Sequence, residues 1–281
     1  MSMNRLKTVI LLGALTGVFL LIGSYWGYGG MTIAIIFALV MNVGSYWFSD
    51  KIVLKIYRAK EVKDNDSPKL FKLVREVADR AGIPMPRVYI IPAENMNAFA
   101  VGRDYTHSAV AFTQGILQAL DKEELEGVIA HEISHIKNRD TLIQTIAATI
   151  AGVISYVAFM ARWAAIFGGF GGDRDNDGIL GFLVLAILAP LIATIIHLAL
   201  SRSREYLADE SAAKTLHNSK GLASALNKLE ASAKLQPFRF GNKTTSSLFI
   251  VNPFRGQAFF QLFSTHPATE ARVKKLNEMK F

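Results

Sequence analysis

Two histidines flanking three residues, with a glutamate directly after the first, form the stretch best suited to chemistry: His131-Glu132-Ile133-Ser134-His135. On a helix, residues four apart project from one face, one turn apart. Both imidazoles can then reach a single divalent ion. Glu132 sits at the edge of such a site, placed to take a proton from a water molecule held there. The bland alternative is a surface helix with two incidental histidines. The chain has no cysteine, which excludes a disulfide framework and a thiolate-ligated zinc site. Any metal must be held by His, Asp or Glu.

A catalytic zinc needs a third protein ligand and an open fourth position. His107 and His217 lie near turn signals, and His197 lies inside a long uncharged run. Glu205 is the better candidate. Asp209 follows four residues later on the same helical face, where it could accept the second N–H of a ligating histidine. The competing reading is a salt-bridged helix face with Arg202 and Arg204. Spacing alone leaves both readings open.

The elements that must position these residues divide between bilayer and water. Of 281 residues, 51% are hydrophobic and 19% charged, with a mean hydropathy of +0.27 and a net charge of +8. That is too apolar for an ordinary soluble domain and excludes dominant disorder. No charge occurs from Thr8 to Ser49, enough for two helices of about 20 residues each. The first is expected over Leu6 to Tyr25 and the second over Met31 to Trp47, with Gly27-Tyr28-Gly29-Gly30 as the turn between them. Two more runs, Thr141 to Phe167 and Ile179 to Ser201, make four predicted spans. Lys51, Lys55, Arg58, Lys60 and Lys63 follow the second span, and Arg202 and Arg204 follow the fourth. The loop between the third and fourth spans carries Asp173, Asp175 and Asp177 against Arg174 alone. The basic flanks place the N-terminus, 50–140 and 201–281 in the cytoplasm.

Between the hairpins, Ser67-Pro68 opens a helix that Gly82 ends. Arg87–Ile91, Asn97–Val101 and Ser108–Thr113 read as three strands of a small sheet. Asp121 and Glu124 match a capping box at the head of a helix running to about Arg139. Helices are expected over 202–216 and 219–235, and a short one after Pro267. The expected fold is therefore an integral membrane protein, mainly α with a small β-sheet. Its parts are an N-terminal transmembrane hairpin (1–49), a first catalytic segment (50–140), a second hairpin (141–201) and a second catalytic segment (202–281). Asp173 to Gly178 mimics a calcium loop, but Val184 stands where such a loop needs glutamate. No aromatic-basic module accompanies the basic C-terminal part, so lipid headgroups rather than nucleic acid are the expected anionic partner.

Residues 131–140, HEISHIKNRD, and 202–213, RSREYLADESAA, resemble the paired signatures of HtpX-type membrane zinc metalloproteases, relatives of the CAAX prenyl endopeptidases. The likeness extends to the N-terminal hydrophobic hairpin, Asn97-Ala98-Phe99-Ala100 and Ser264-Thr265-His266-Pro267. It implies a zincin-like cytoplasmic catalytic domain and one Zn²⁺ per chain bound by His131, His135 and Glu205. Glu132 would be the general base and Asp209 a support for a ligand. It further implies endoproteolysis of misfolded or damaged membrane proteins at the cytoplasmic membrane.

The oxyanion of peptide hydrolysis needs a donor beyond the metal, and His266 or Tyr206 is expected to supply it. Substrate should add as a strand to an edge in Asn97–Val101 or Ser108–Thr113. At 1.5 Å per residue, His135 lies about 9 Å from Thr141 and Glu205 about 6 Å from Ser201, so the metal is expected within about 10 Å of the membrane surface. A prenyl-protein protease and an inactive metal-binding membrane scaffold are the alternative functions. The sequence specifies no oligomer.

Overall fold

The computed structural model describes residues 9–10, 12–13, 16–17, 19–20, 23–24, 27–150, 202–235, 248–251 and 267–281. The expected fourth span, most of the third, the acidic loop and His266 lie outside the described residues. The described chain is mainly helical around one small mixed sheet.

Helix α1 (Gly27–Ile56) is the one helix, among the described residues, long and apolar enough to cross a membrane. The helix begins at Gly27, which has φ +66°, so Gly27-Tyr28-Gly29-Gly30, expected as a turn, are the first residues of the helix rather than a loop before Met31. Ile33, Ile36, Leu39, Val40 and Val43 are exposed on α1. The described residues of 9–24 are helical and meet its other face, where Asn42 Nδ2 donates to Thr16 Oγ1 at 2.9 Å. The helix continues past the end expected at Trp47. At 30 residues it is about 45 Å long, against about 30 Å of hydrocarbon. The surplus is used: Val53 and Leu54, with Tyr57 just beyond, pack on the sheet.

The sheet contains β1 (Lys60–Val62), β2 (Arg87–Ile91), β3 (Ala98–Gly102) and β4 (Ser108–Thr113), in the order β1-β2-β4-β3. β2 and β4 are parallel; β1–β2 and β3–β4 are antiparallel. This corrects one expectation. Ser108–Thr113 is an interior strand, so it offers no edge for a substrate; of the two candidate segments only β3 lies at an edge, with β1 at the other. β1 has too few residues, two of them charged, to show a strand pattern.

Alternation along the strands sorts their side chains onto two buried faces. Val88, Ala98, Ala100, Val110 and Phe112 meet the helical core. Tyr89, Ile91, Phe99, Val101, Ala109 and Ala111 meet Val53, Leu54 and Tyr57. The sheet thus lies between α1 and the helices of the main core.

Those helices are α2 (Pro68–Ala81), α3 (Gln114–Ala119), α4 (Lys122–Lys137), α5 (Arg202–Leu216), α6 (Lys220–Leu235) and α7 (Thr269–Glu278). The capping box at the head of α4 is present: Glu124 N donates to Asp121 Oδ1 at 2.9 Å, and Asp121 N to Glu124 Oε2 at 3.0 Å. Gly127 lies mid-helix, where glycine costs about 1 kcal/mol relative to alanine. A Cβ there would stand 2.6 Å from Leu222 N. The glycine lets α6 cross α4 at backbone contact, which buries the whole inner half of α4.

Candidate metal centre

Helix α4 ends just beyond His135. Arg139 takes φ +58°, and Asp140 N returns to His135 O at 2.9 Å. A left-handed non-glycine residue costs on the order of 1–2 kcal/mol. Here it breaks the helix before the apolar helical segment Thr141–Ile150 begins. It also brings the Asp140 carboxylate back to His135, with Oδ2 3.4 Å from Nδ1.

The two histidines of α4 and Glu205 of α5 meet in the interior. His131 is 0% exposed, His135 5% and Glu205 3%. The two Nε2 atoms are 3.2 Å apart. Glu205 Oε2 is 3.7 Å from His131 Nε2, and Oε1 is 3.6 Å from His135 Nε2. All three ligand atoms lie within 4.8 Å of one another. Zinc bonds of about 2.0–2.1 Å at tetrahedral angles place neighbouring donors about 3.3 Å apart. The spacing therefore fits one zinc ion, and the donor set of two imidazoles and a carboxylate suits it.

Each imidazole presents Nε2 to the cluster and is held from behind by a carboxylate. Asp209 Oδ1 lies 2.9 Å from His131 Nδ1, and Asp140 plays the same part for His135. Such partners fix ring orientation and raise ligand basicity. Arg204 Nε lies 3.8 Å from Asp140, and Arg272, 1% exposed, forks onto Asp209.

Glu132 follows His131 and is 1% exposed. Its Oε1 is buried without a hydrogen-bond partner among the described residues. Burial, with the Glu205 charge adding, pushes its carboxyl up to about 7, against the pull of His135, Arg272 and a hydrogen bond from the Ala100 amide. That hydrogen bond sets edge strand β3 directly beside Glu132.

Of the other expected residues, Asn97 is buried at the start of β3. Its Nδ2 donates to Val251 O at 2.8 Å. Tyr206 is half-buried, with the Lys275 ammonium 3.7 Å from its ring centroid. Sequence reasoning missed Asp140 and Arg272. Asp140 lies beyond the helix end, so helical spacing could not assign it. Arg272 lies on a different helix, and its only sequence signal is its place soon after His266-Pro267.

Two histidines and a glutamate that could hold one metal ion, with the buried Glu132 carboxyl alongside, are the arrangement expected of a metallopeptidase. Residues 64–280 match peptidase family M48, and the chain belongs to that family. It is 51% identical over 278 residues to a protease HtpX homolog of Thermococcus kodakarensis, covering 98% of this chain and 95% of the relative. It is 53% identical to a homolog of the same name from Pyrococcus furiosus (98% and 94%) and to one from Syntrophotalea carbinolica (99% of each). The resemblance to HtpX-type proteases thus holds over nearly the whole length. Among solved structures, S. mikatae Ste24p superposes with a TM-score of 0.53 at 20% identity, covering 98% of this chain and 65% of that one. It shares the fold.

Protons compete with metal for these atoms. Burial lowers both imidazoles. For His135 the hydrogen bond to Asp140 and the charges of Glu205, Glu132 and Asp140 outweigh burial and hold it up to about 9. For His131 burial prevails over Asp209, helped by His135 and Arg272. Metal binding must expel the His135 proton, so affinity rises with pH until about 9. Between pH 7 and 9 the zinc dissociation constant should fall about tenfold per pH unit. Chelator-buffered zinc titrations from pH 6 to 9 measure this; a flat profile above 7 would show that His135 carries no such proton.

Proposed function

We propose that this chain is a zinc-dependent endopeptidase that cleaves polypeptide segments of misfolded or damaged membrane proteins at the cytoplasmic membrane face. The observation that carries the reading is the buried meeting of His131, His135 and Glu205, with Glu132 and strand β3 alongside. His131, His135 and Glu205 would hold the ion. Bound there, zinc supplies Lewis acidity that acidifies water and polarises the scissile carbonyl. Glu132, poised near neutrality, accepts the proton of the attacking water and returns it to the leaving amine. Asp209 and Asp140 keep the imidazoles aimed. The substrate lies as an extended strand along the β3 edge beyond Ala98, whose carbonyl already accepts from Ile250 N. Tyr206 is engaged with Lys275, which favours His266 as the oxyanion donor. Pro267, next to His266 in sequence, leads into α7, whose Arg272 reaches the cluster.

Cytoplasmic placement in a multi-pass inner-membrane protein is supported by the lysines following the membrane part of α1 and by the basic flanks of the uncharged runs. The metal cluster lies immediately before the apolar segment Thr141–Ile150. A peptidase so placed meets juxtamembrane loops of misassembled neighbours.

The test is cleavage by the detergent-purified protein of an unfolded membrane polypeptide and of a prenylated peptide. Each is run with zinc, with chelator, and with zinc restored. Zinc-dependent internal cleavage of the unfolded chain is expected. Cleavage of the prenylated peptide alone would favour a prenyl-protein protease, and cleavage of neither would leave a metal-binding scaffold.

A further inference from the structure

We infer that Arg272 of α7 is a positioning residue of the metal centre: it fixes the carboxylate oxygen that aims His131 and ties it to the residues that abut edge strand β3. The inference rests on reading His131, His135 and Glu205 as metal ligands. Asp209 Oδ1 accepts from Arg272 Nη2 at 2.7 Å and also lies 2.9 Å from His131 Nδ1. Arg272 Nε donates to the other oxygen, Oδ2, at 2.8 Å. A planar guanidinium holding both oxygens leaves the carboxylate one orientation. A lysine in its place would hold one oxygen and let the group turn.

Arg272 reaches further than a salt bridge that merely docks α7. Its Nη2 stands 3.5 Å from both ring nitrogens of His131, and Nη1 stands 3.6 Å from Glu205 Oε2. Nη1 also donates to Ile250 O at 3.0 Å. Ile250 N in turn donates to Ala98 O at 3.2 Å on β3, and Val251 O accepts from Asn97 Nδ2. One side chain therefore joins the support of His131 to the residues that abut the edge strand. Charge argues the same way. With neutral imidazoles and a divalent ion, Arg272 supplies the remaining positive charge that the buried Glu132, Glu205 and Asp209 require.

The test is a double-mutant cycle read as zinc affinity of the full-length protein in detergent. Arg272→Lys keeps the charge and loses the fork. It and Asp209→Asn should each weaken zinc binding by about tenfold or more. The double variant should be no weaker than Asp209→Asn alone, because Arg272 acts through Asp209. The visible spectrum of the cobalt-substituted protein should shift in Arg272→Lys, reporting altered ligand geometry. Unchanged affinity in Arg272→Lys, or losses that multiply in the double variant, would overturn the inference while leaving the metal centre standing. Wild type that binds no zinc would overturn both. If Arg272→Lys does not fold, Arg272→Met with Asp209→Asn removes both buried charges together; it should match Asp209→Asn alone, and a further tenfold loss would sink the inference.

Discussion

Glu132→Gln is expected to lose about 1,000-fold or more in peptide hydrolysis while keeping its zinc. A positioned base contributes up to about 10⁴-fold, and three decades correspond to about 4 kcal/mol of transition-state stabilisation. The amide has nearly the shape of the carboxylate but cannot take a proton from water. None of His131, His135 or Glu205 is altered, so bound metal should remain near one ion per chain. Stability gives a second readout. Burial pushes the Glu132 carboxyl up to about 7, against an ordinary value of 4.5. Between those values the unfolded chain has released a proton that the folded chain still holds. Stability conferred by this group therefore falls as pH rises through that window, and is lost fully above it. The glutamine variant should lack that decline. Zinc analysis, cleavage assays and melting curves at several pH values test all three expectations. Cleavage at wild-type rate would remove Glu132 from the mechanism.

Glu205→Ala should have the largest effect on metal binding. Zinc sites bind with about 10–16 kcal/mol shared among four ligands, so one ligand is worth about 3–4 kcal/mol, or about 100- to 1,000-fold in affinity. His131 and His135 alone leave an ion two donors short of a tetrahedron. Metal content after dialysis against a weak chelator reads this directly. Retention of one zinc per chain would mean that the third ligand is elsewhere. Because Glu205 reaches His131 across a long stretch of sequence, the result also tests whether the two signatures lie on the same side of the membrane.

Local features were legible because one turn of helix or one strand period is enough to specify them. The spacing of His131 and His135 puts both rings on one face of any helix. The Asp121–Glu124 capping box fixes where that helix starts. Alternation within Arg87–Ile91 and Ser108–Thr113 marks strands whichever partners they find. Where the reading failed, the deciding partner was remote. Strand Ser108–Thr113 looks like an edge candidate in isolation, and its parallel pairing with β2 makes it interior. Helix α1 runs past its uncharged stretch because Val53, Leu54 and Tyr57 find Phe99 and Phe249 beneath them.

The sequence by itself determined which side chains a metal site could draw on: no cysteine, two histidines one helical turn apart, and a glutamate–aspartate pair at the same spacing. Only the tertiary structure decided that these two turns of helix meet, and what stands behind them. Asp140 reaches His135 through a left-handed residue, and Arg272 reaches Asp209 from another helix. The physical reason is range. Helical periodicity fixes neighbours within about 6 Å along one element. The groups that hold a buried charge come from wherever the fold brings compensating charge, and no period in the chain encodes that.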